Sequence, residues 1–238
     1  MYRLQQVSEI ENASLETLIR EAKIGERIIL YEGLCSDYEI YPAGYDFYHV
    51  DQGTLHKNGE AVCEEVFEDW FAHRLGFVIK RGNQYLMNGT EVVAEGDFID
   101  WAPHKEGVVV LVKVTQKPEG AGDGEEISFW EVRLNGTKVL HRQNRELRDL
   151  APHSRGFMVG CYGDWSINGS KPLVSNRRKR CDGLHPWGDS DFVVKRGGEF
   201  RLNDVRVIHR DFCDSWTIHR NGIVVKQDDE VSLVVLRK

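Results

Sequence analysis

The sequence predicts an all-β fold, a six-bladed β-propeller of short four-stranded blades closed by N- and C-terminal strands. Two observations predict it: a repeated motif that is followed by a run of strand-forming residues, and an Asn-Gly turn within most of the repeats. A short repeat that cannot bury its own apolar face must stack on copies of itself. The chain has 238 residues, of which 41% are hydrophobic, and we expect one propeller domain over residues 1–238.

The repeated motif has the form Asp-aromatic-x-x-His-x-x-Gly. Its clearest copies span residues 69–76, 100–107 and 149–156, and weaker copies lie at 37–44, at 215–222 and around His185-Pro186-Trp187-Gly188. A β-branched or aromatic run such as Phe77–Lys80 follows each copy and predicts a strand.

An Asn-Gly pair follows in most repeats. The pairs are Asn58-Gly59, Asn88-Gly89, Asn135-Gly136 and Asn168-Gly169, with Asn203-Asp204 in the fifth place. Asn and Gly tolerate the positive φ of a type I′ hairpin turn, so each repeat is predicted to be a β-meander. In the repeat from Phe77 to Gly107 we predict strands at residues 77–80, 84–87, 90–94 and 98–102.

The repeats are too many for a trefoil, and a propeller leaves fewer open edges than a solenoid. The C-terminal region supplies two predicted strands, Ile223–Lys226 and Val231–Leu236, and we expect Arg27–Tyr31 and Asp37–Tyr41 to complete their blade. The count is then six blades, with five or seven as the alternatives.

The turn within Trp101-Ala-Pro-His-Lys-Glu-Gly107 resembles those of TolB-type propellers, and the repeat as a whole resembles WD40-type propellers. The resemblance covers residues 37 to 238. It implies a shared architecture and no particular activity, because one fold serves many functions.

Composition indicates a cytoplasmic monomer with no membrane partner. The formal net charge is −7, which opposes general attraction to polyanions. No segment has the apolar length of a signal peptide or membrane span. Five cysteines without a CxxC pair predict free thiols. Residues 14–22 are predicted to form a helix capped by Ser14 that packs on the β-structure.

The recurring His73, His104, His153 and His219 have two interpretations. Because they recur once per blade, we favour a structural role in which both ring nitrogens hold a turn through hydrogen bonds. A metal site is the alternative if they face a narrow channel. The acidic insertion at 115–128 offers Asp123, Glu125 and Glu126 to calcium but lacks a calcium-loop pattern, so we predict no metal and no cofactor.

The most suggestive departure from the repeat is a basic loop. Arg177, Arg178, Lys179 and Arg180 are consecutive cations near Trp187, and together these five residues are predicted to bind an anionic ligand or nucleic acid. A solvated run of charge is the alternative.

The leading functional hypothesis is a binding or scaffolding module that presents propeller-face loops to a protein or peptide partner. We assign no catalytic residue, because no catalytic motif occurs. The alternatives are anion binding by the basic loop and a hydrolase or lyase at the channel mouth, for which the candidates are Asp51, His56, Asp97 and His209.

Overall fold

The structure is a computed structural model that describes residues 14–41, 44–117, 126–153, 155–161, 164–170, 174–175, 184–187 and 191–237. These ranges contain one helix, α1 (Leu15–Glu21), and 24 strands. The strands form six four-stranded antiparallel sheets, the blades of a six-bladed β-propeller. The predicted fold class and blade number are confirmed.

In chain order the strands are β1 (Arg27–Glu32), β2 (Asp37–Ile40), β3 (Phe47–Asp51), β4 (Thr54–Lys57), β5 (Glu60–Cys63), β6 (Asp69–His73), β7 (Gly76–Arg81), β8 (Gln84–Met87), β9 (Glu91–Glu95), β10 (Asp100–His104), β11 (Gly107–Gln116), β12 (Ile127–Leu134), β13 (Lys138–Gln143), β14 (Asp149–His153), β15 (Gly156–Cys161), β16 (Asp164–Ile167), β17 (Val174–Ser175), β18 (Leu184–Trp187), β19 (Asp191–Arg196), β20 (Glu199–Leu202), β21 (Arg206–Arg210), β22 (Ser215–His219), β23 (Gly222–Gln227) and β24 (Glu230–Val235).

The chain divides into two compact units. The unit of Met1–Val66 with Cys181–Lys238 contains blade 1 (β2–β5), blade 5 (β18–β21) and blade 6 (β22–β24 with β1). The unit of Phe67–Arg180 contains blade 2 (β6–β9), blade 3 (β10–β13) and blade 4 (β14–β17).

Blade 6 combines strands from the N-terminal and C-terminal regions, as predicted, but the number of strands from each region differs from the prediction. Three strands come from the C-terminal region and only β1 comes from the N-terminal region, with Ile28 opposite Leu233. Residues 37–40 instead form the first strand of blade 1. The prediction of two strands from each end was wrong because β22, which carries the motif, belongs to the same blade as β23.

The same error moves every blade boundary by one strand. The motif strand begins a blade and does not end one: β10 pairs with β11 and not with β9. Residues 98–102, predicted as the last strand of the Phe77 repeat, therefore overlap the first strand of blade 3. The turn after the motif histidine joins β10 to β11 as a tight hairpin in which His104 pairs with Gly107.

The Asn of each hairpin turn ties two turns of its blade together. Asn88 has φ 49° and Gly89 has φ 77°, as a type I′ turn requires. The Asn88 Oδ1 accepts from the Phe77 N–H at 3.2 Å, and its Nδ2 donates to the Leu75 carbonyl at 3.2 Å. The equivalent Asn58, Asn135, Asn168 and Asn203 accept in the same way from residues 47, 108, 157 and 192.

This contact explains the glycine that closes the motif. A Cβ on Gly76 would overlap the Asn88 side chain, and Gly76 has φ 135°. Blades 1 and 5 carry aspartate at this position, and there the amide of the turn Asn donates to the aspartate carboxylate instead, from Asn58 to Asp46 and from Asn203 to Asp191.

The outermost strand of five blades contains a β-bulge at one equivalent place. The extra residues are Leu30, Val62, Val93, Leu140 and Ile208. Four of them, all except Val62, pack against a buried apolar cluster of their unit. A bulge adds twist and interrupts the unpaired edge, so it opposes pairing with another chain.

The helix prediction is also confirmed. Ser14 caps α1 and its hydroxyl accepts from the Thr17 N–H at 3.3 Å. Leu18 and Ile19 are buried with residues of β1, β23 and β24, so the apolar face of α1 covers blade 6.

Replacing Gly76 with alanine is expected to destabilise the protein by about 2–4 kcal/mol. The new methyl group would overlap the Asn88 side chain, and alanine disfavours the positive φ of residue 76. Urea denaturation measures the change. Gly82→Ala is the matched control: Gly82 has φ 59° and open space around its Cβ, so this variant should lose only about 1 kcal/mol. Equal losses in the two variants would show that the overlap with Asn88 has no energetic weight.

Candidate functional site

The repeated histidines connect neighbouring blades and hold turns. The Nδ1 of His73 accepts from the Leu75 N–H at 3.1 Å, and its Nε2 lies 2.7 Å from the His104 carbonyl oxygen in the next blade. The ring must therefore be neutral with its proton on Nε2, which donates to that carbonyl. Burial lowers the pKa of His73, which favours this neutral form.

His219 repeats the arrangement between blades 6 and 1. Its Nδ1 accepts from the Asn221 N–H at 3.3 Å, and its Nε2 lies 2.6 Å from the Gly44 carbonyl oxygen. Burial lowers the pKa of His219 to about 4. His104 and His153 also accept from the N–H two residues ahead. The prediction that these histidines hold turns is supported at all four, but at His73 and His219 only one ring nitrogen holds the turn and the other contacts a carbonyl of the next blade. Within the described residues no group of His, Cys, Asp and Glu is arranged to hold a metal ion.

His219 should make stability depend on pH below neutrality. Its pKa is lower in the folded state than the ordinary value of 6.5, so the unfolded chain binds more protons and stability falls as the pH decreases from about 6.5 to about 4. The loss should be on the order of 3 kcal/mol at the lower end. Urea denaturation across this range, with His219→Gln for comparison, measures it. An equally steep decline in the variant would contradict the assignment.

The motif aspartate also accepts a hydrogen bond from the next blade. The Asp69 Oδ2 accepts from the Trp101 Nε1 at 2.7 Å, and the Asp100 Oδ2 accepts from the Leu150 N–H at 2.6 Å. Where serine replaces aspartate, the Ser215 hydroxyl lies 3.2 Å from the Tyr38 hydroxyl. The aspartate, tryptophan, histidine and glycine positions of the motif therefore have an architectural use, and residues outside these four positions are the better functional candidates.

The basic loop cannot be placed, because Arg177, Arg178, Lys179 and Arg180 lie outside the described residues. Trp187 is described. It is buried, its Nε1 donates to the Arg220 carbonyl at 3.2 Å, and the Arg237 guanidinium lies 4.3 Å from its ring centroid. Anion binding by these residues stays a prediction.

Trp187 also occupies the position at which four of the other motifs have histidine. Leu184 pairs with Val194 as Trp70 pairs with Ile79, and Trp187 is three residues further on, at the position of His73. Its indole N–H donates to the next blade as the His73 imidazole does. Sequence comparison missed this equivalence because the motif of blade 5 lacks both aspartate and histidine.

The hydrolase candidates lie on different elements of the described structure. Asp51 and His56 lie on the hairpin of β3 and β4. His209 lies on β21, where its Nε2 is 3.4 Å from the Asp211 carboxylate. Asp97 belongs to the other unit. Of the proposed calcium ligands, Asp123 and Glu125 lie outside the described residues and Glu126 is exposed.

His49 is the residue that breaks the repeat most clearly. It pairs with Tyr38 across β2 and β3, a position that is apolar in the other blades. The equivalent residues are Ile79, Val110, Val159, Val194 and Val225. His49 is only 3% exposed, and its Nδ1 is buried with no hydrogen-bond partner among the residues that the structure describes. A buried unpaired polar atom costs stability and calls for an explanation.

We call Tyr31, Phe47, His49 and His56 the histidine cluster. The His49 ring centroid lies 4.1 Å from that of Tyr31 and 5.0 Å from that of His56, which is stacked on it at 11°. Burial and the neighbouring His56 lower the pKa of His49, although Asp51 opposes them. Burial, Asp51 and Cys35 raise the pKa of Tyr31. Both rings are therefore neutral at pH 7.

The histidine cluster adjoins a cavity that we call the acidic groove. It has a volume of about 440 Å³ and is lined by Arg27, Glu32, Gly33, Gln227, Asp228, Asp229 and Glu230. Gly33 joins the two features, because a Cβ on it would lie 3.0 Å from the Tyr31 hydroxyl and its N–H donates to the Asp229 carbonyl at 2.8 Å. The groove exists because β1 pairs with β24, which places Glu32 opposite Glu230.

The charge of the groove is unbalanced. Arg27 bonds to the Asp211 carboxylate and lies 3.8 Å from the Glu230 carboxylate, so its charge is already matched. Among the described residues, Glu32, Asp228 and Asp229 have no ion pair. The lining of the cavity therefore includes three acidic residues that have no cationic partner within the described part of the chain, and they favour a cationic group there.

His49→Val, which restores the residue of four other blades, is expected to raise the free energy of unfolding at pH 7 by about 1 kcal/mol, because the unpaired Nδ1 is removed from the interior. Urea denaturation measures the change. His219→Val is the matched control: it breaks two hydrogen bonds and should lower the free energy by about 2 kcal/mol. A comparable loss in both variants would mean that His49 stabilises the blade.

Comparison with known proteins adds no functional assignment: no family model matches the sequence, and no curated protein matches it. The part of the chain that the structure describes contains no helix long and apolar enough to cross a bilayer.

Proposed function

We propose that this protein is a binding module for a protein or peptide partner, and that the acidic groove receives a basic side chain of that partner. The observation that carries the proposal is the set of three carboxylates, Glu32, Asp228 and Asp229, which line one cavity and have no ion pair within the described residues. A lysine or arginine of a partner would supply the missing charge, and arginine can bind a carboxylate through two parallel hydrogen bonds.

The position of the groove also supports this role. Asp228 and Asp229 lie on the turn between β23 and β24, and Glu32 ends β1. Loops and strand ends held by a rigid sheet are the usual places for binding residues.

The module most consistent with these features is a cytoplasmic monomer of the WD40/TolB-like architecture. The described thiols of Cys35, Cys63 and Cys213 are free, which suits a reducing compartment. The bulges of the outermost strands oppose the edge pairing through which sheets associate.

Binding of a labelled tetra-arginine peptide, followed by fluorescence anisotropy, tests the proposal. We expect the combined variant Glu32→Gln, Asp228→Asn, Asp229→Asn to weaken binding by about tenfold or more, because each lost carboxylate removes a charge-assisted hydrogen bond. Binding of the unmodified protein should also weaken as salt is added.

The matched control neutralises three exposed carboxylates elsewhere, in the variant Glu60→Gln, Glu64→Gln, Glu91→Gln. None of these has an ion pair in the described structure, and both triple variants change the net charge by the same three units. The control should bind the peptide nearly as well as the unmodified protein. Equal weakening in both variants, or no binding at about 1 mM peptide, would overturn the proposal.

A further inference from the structure

A second cavity, between blades 3 and 4, has the opposite charge. Its volume is about 280 Å³, and its lining includes the cations Lys105, Lys138 and Arg155 with Glu106 as its one acidic residue. Lys105 lies 3.8 Å from the Glu106 carboxylate. Among the described residues, the side chains of Lys138 and Arg155 have no ion pair. In a protein of net charge −7, this is a local cationic site.

The repeat shows that the preceding junction carries the opposite charge at these positions. Leu134 pairs with Lys138 as Met87 pairs with Glu91, so Lys138 corresponds to Glu91 in the preceding blade. Arg155, two residues after the motif histidine, corresponds to Glu106. The junction between blades 2 and 3 therefore carries glutamates where the junction between blades 3 and 4 carries cations. The architecture does not require positive charge at these positions.

The cavity also has an apolar wall. Leu134 and Phe157 are buried, and Leu140 is the half-buried bulge residue of β13. Concave sites that combine an apolar wall with a few charged groups are the usual form of small-molecule sites. A fully hydrated inorganic anion would use the cations and leave the apolar wall uncovered.

We infer that this cavity binds a small organic anion, a phosphate monoester or carboxylate with an apolar body. The anionic group lies against Lys138 and Arg155, where Arg155 can donate two parallel hydrogen bonds. The apolar body packs on Leu134, Leu140 and Phe157. The site is separate from the acidic groove and does not depend on the function proposed there.

Isothermal titration calorimetry with phenyl phosphate, inorganic phosphate and benzyl alcohol tests the inference. Phenyl phosphate should bind, inorganic phosphate should bind at least about tenfold more weakly, and benzyl alcohol should not bind measurably. The double variant Lys138→Glu, Arg155→Glu installs the charges of the preceding junction, and it should weaken phenyl phosphate binding by about tenfold or more. Both residues are exposed, so the thermal midpoint should stay nearly unchanged.

The single variants Lys105→Gln and Arg74→Gln form a matched pair, because the two residues follow the motif histidines of neighbouring blades. Lys105→Gln should weaken phenyl phosphate binding, and Arg74→Gln should leave it unchanged. The inference is overturned if phenyl phosphate does not bind, if inorganic phosphate or benzyl alcohol binds equally well, or if Arg74→Gln weakens binding as much as Lys105→Gln.

Discussion

In three blades an N–H group on a side-chain ring donates to a backbone carbonyl of the next blade, and this bond ties neighbouring blades of one unit together. His73, His219 and Trp187 make it, to the carbonyls of residues 104, 44 and 220. Buried carbonyls need a partner, and a ring with one N–H and an apolar body can supply it while still packing in the interior. Histidine and tryptophan both meet this requirement, which explains how one position tolerates two residues of such different size.

The sequence predicted the parts of the fold that depend on local chemistry. Asn-Gly turns require positive φ, and the runs after each glycine have strand composition, so the meanders and their number followed directly. The blade boundaries were predicted wrongly because the period of a repeat is the same whichever strand is taken as the first of the blade. The bulge residues such as Leu140 could not be found either, since an extra residue is visible only when the pairing of β12 with β13 is known.

The candidate sites were harder to predict for related reasons. Ligand binding by Trp187 stays a prediction from the nearby cations, and what the sequence did not indicate is that strand pairing places this residue at the histidine position of the motif. The unusual position of His49 could have been found by aligning Phe47-Tyr48-His49 with Phe77-Val78-Ile79, because the alignment places a histidine where the other repeats have isoleucine or valine. The acidic groove had no local signal: Glu32 and Asp229 are distant in sequence and meet only through the pairing of β1 with β24.

The composite blade has a mechanical consequence. Arg27 at the start of β1 lies opposite Val234 near the end of β24, and Glu32 lies opposite Glu230. Tension applied between the chain before β1 and the chain after β24 would load the backbone hydrogen bonds of this edge one pair at a time, beginning with those that join Gly25 and Glu26 to Val235. A ladder loaded in this way peels open at low force, whereas strands pulled along their length resist until all their bonds break together. The seam that joins the two ends of the chain is therefore also the place where stretching would first open it.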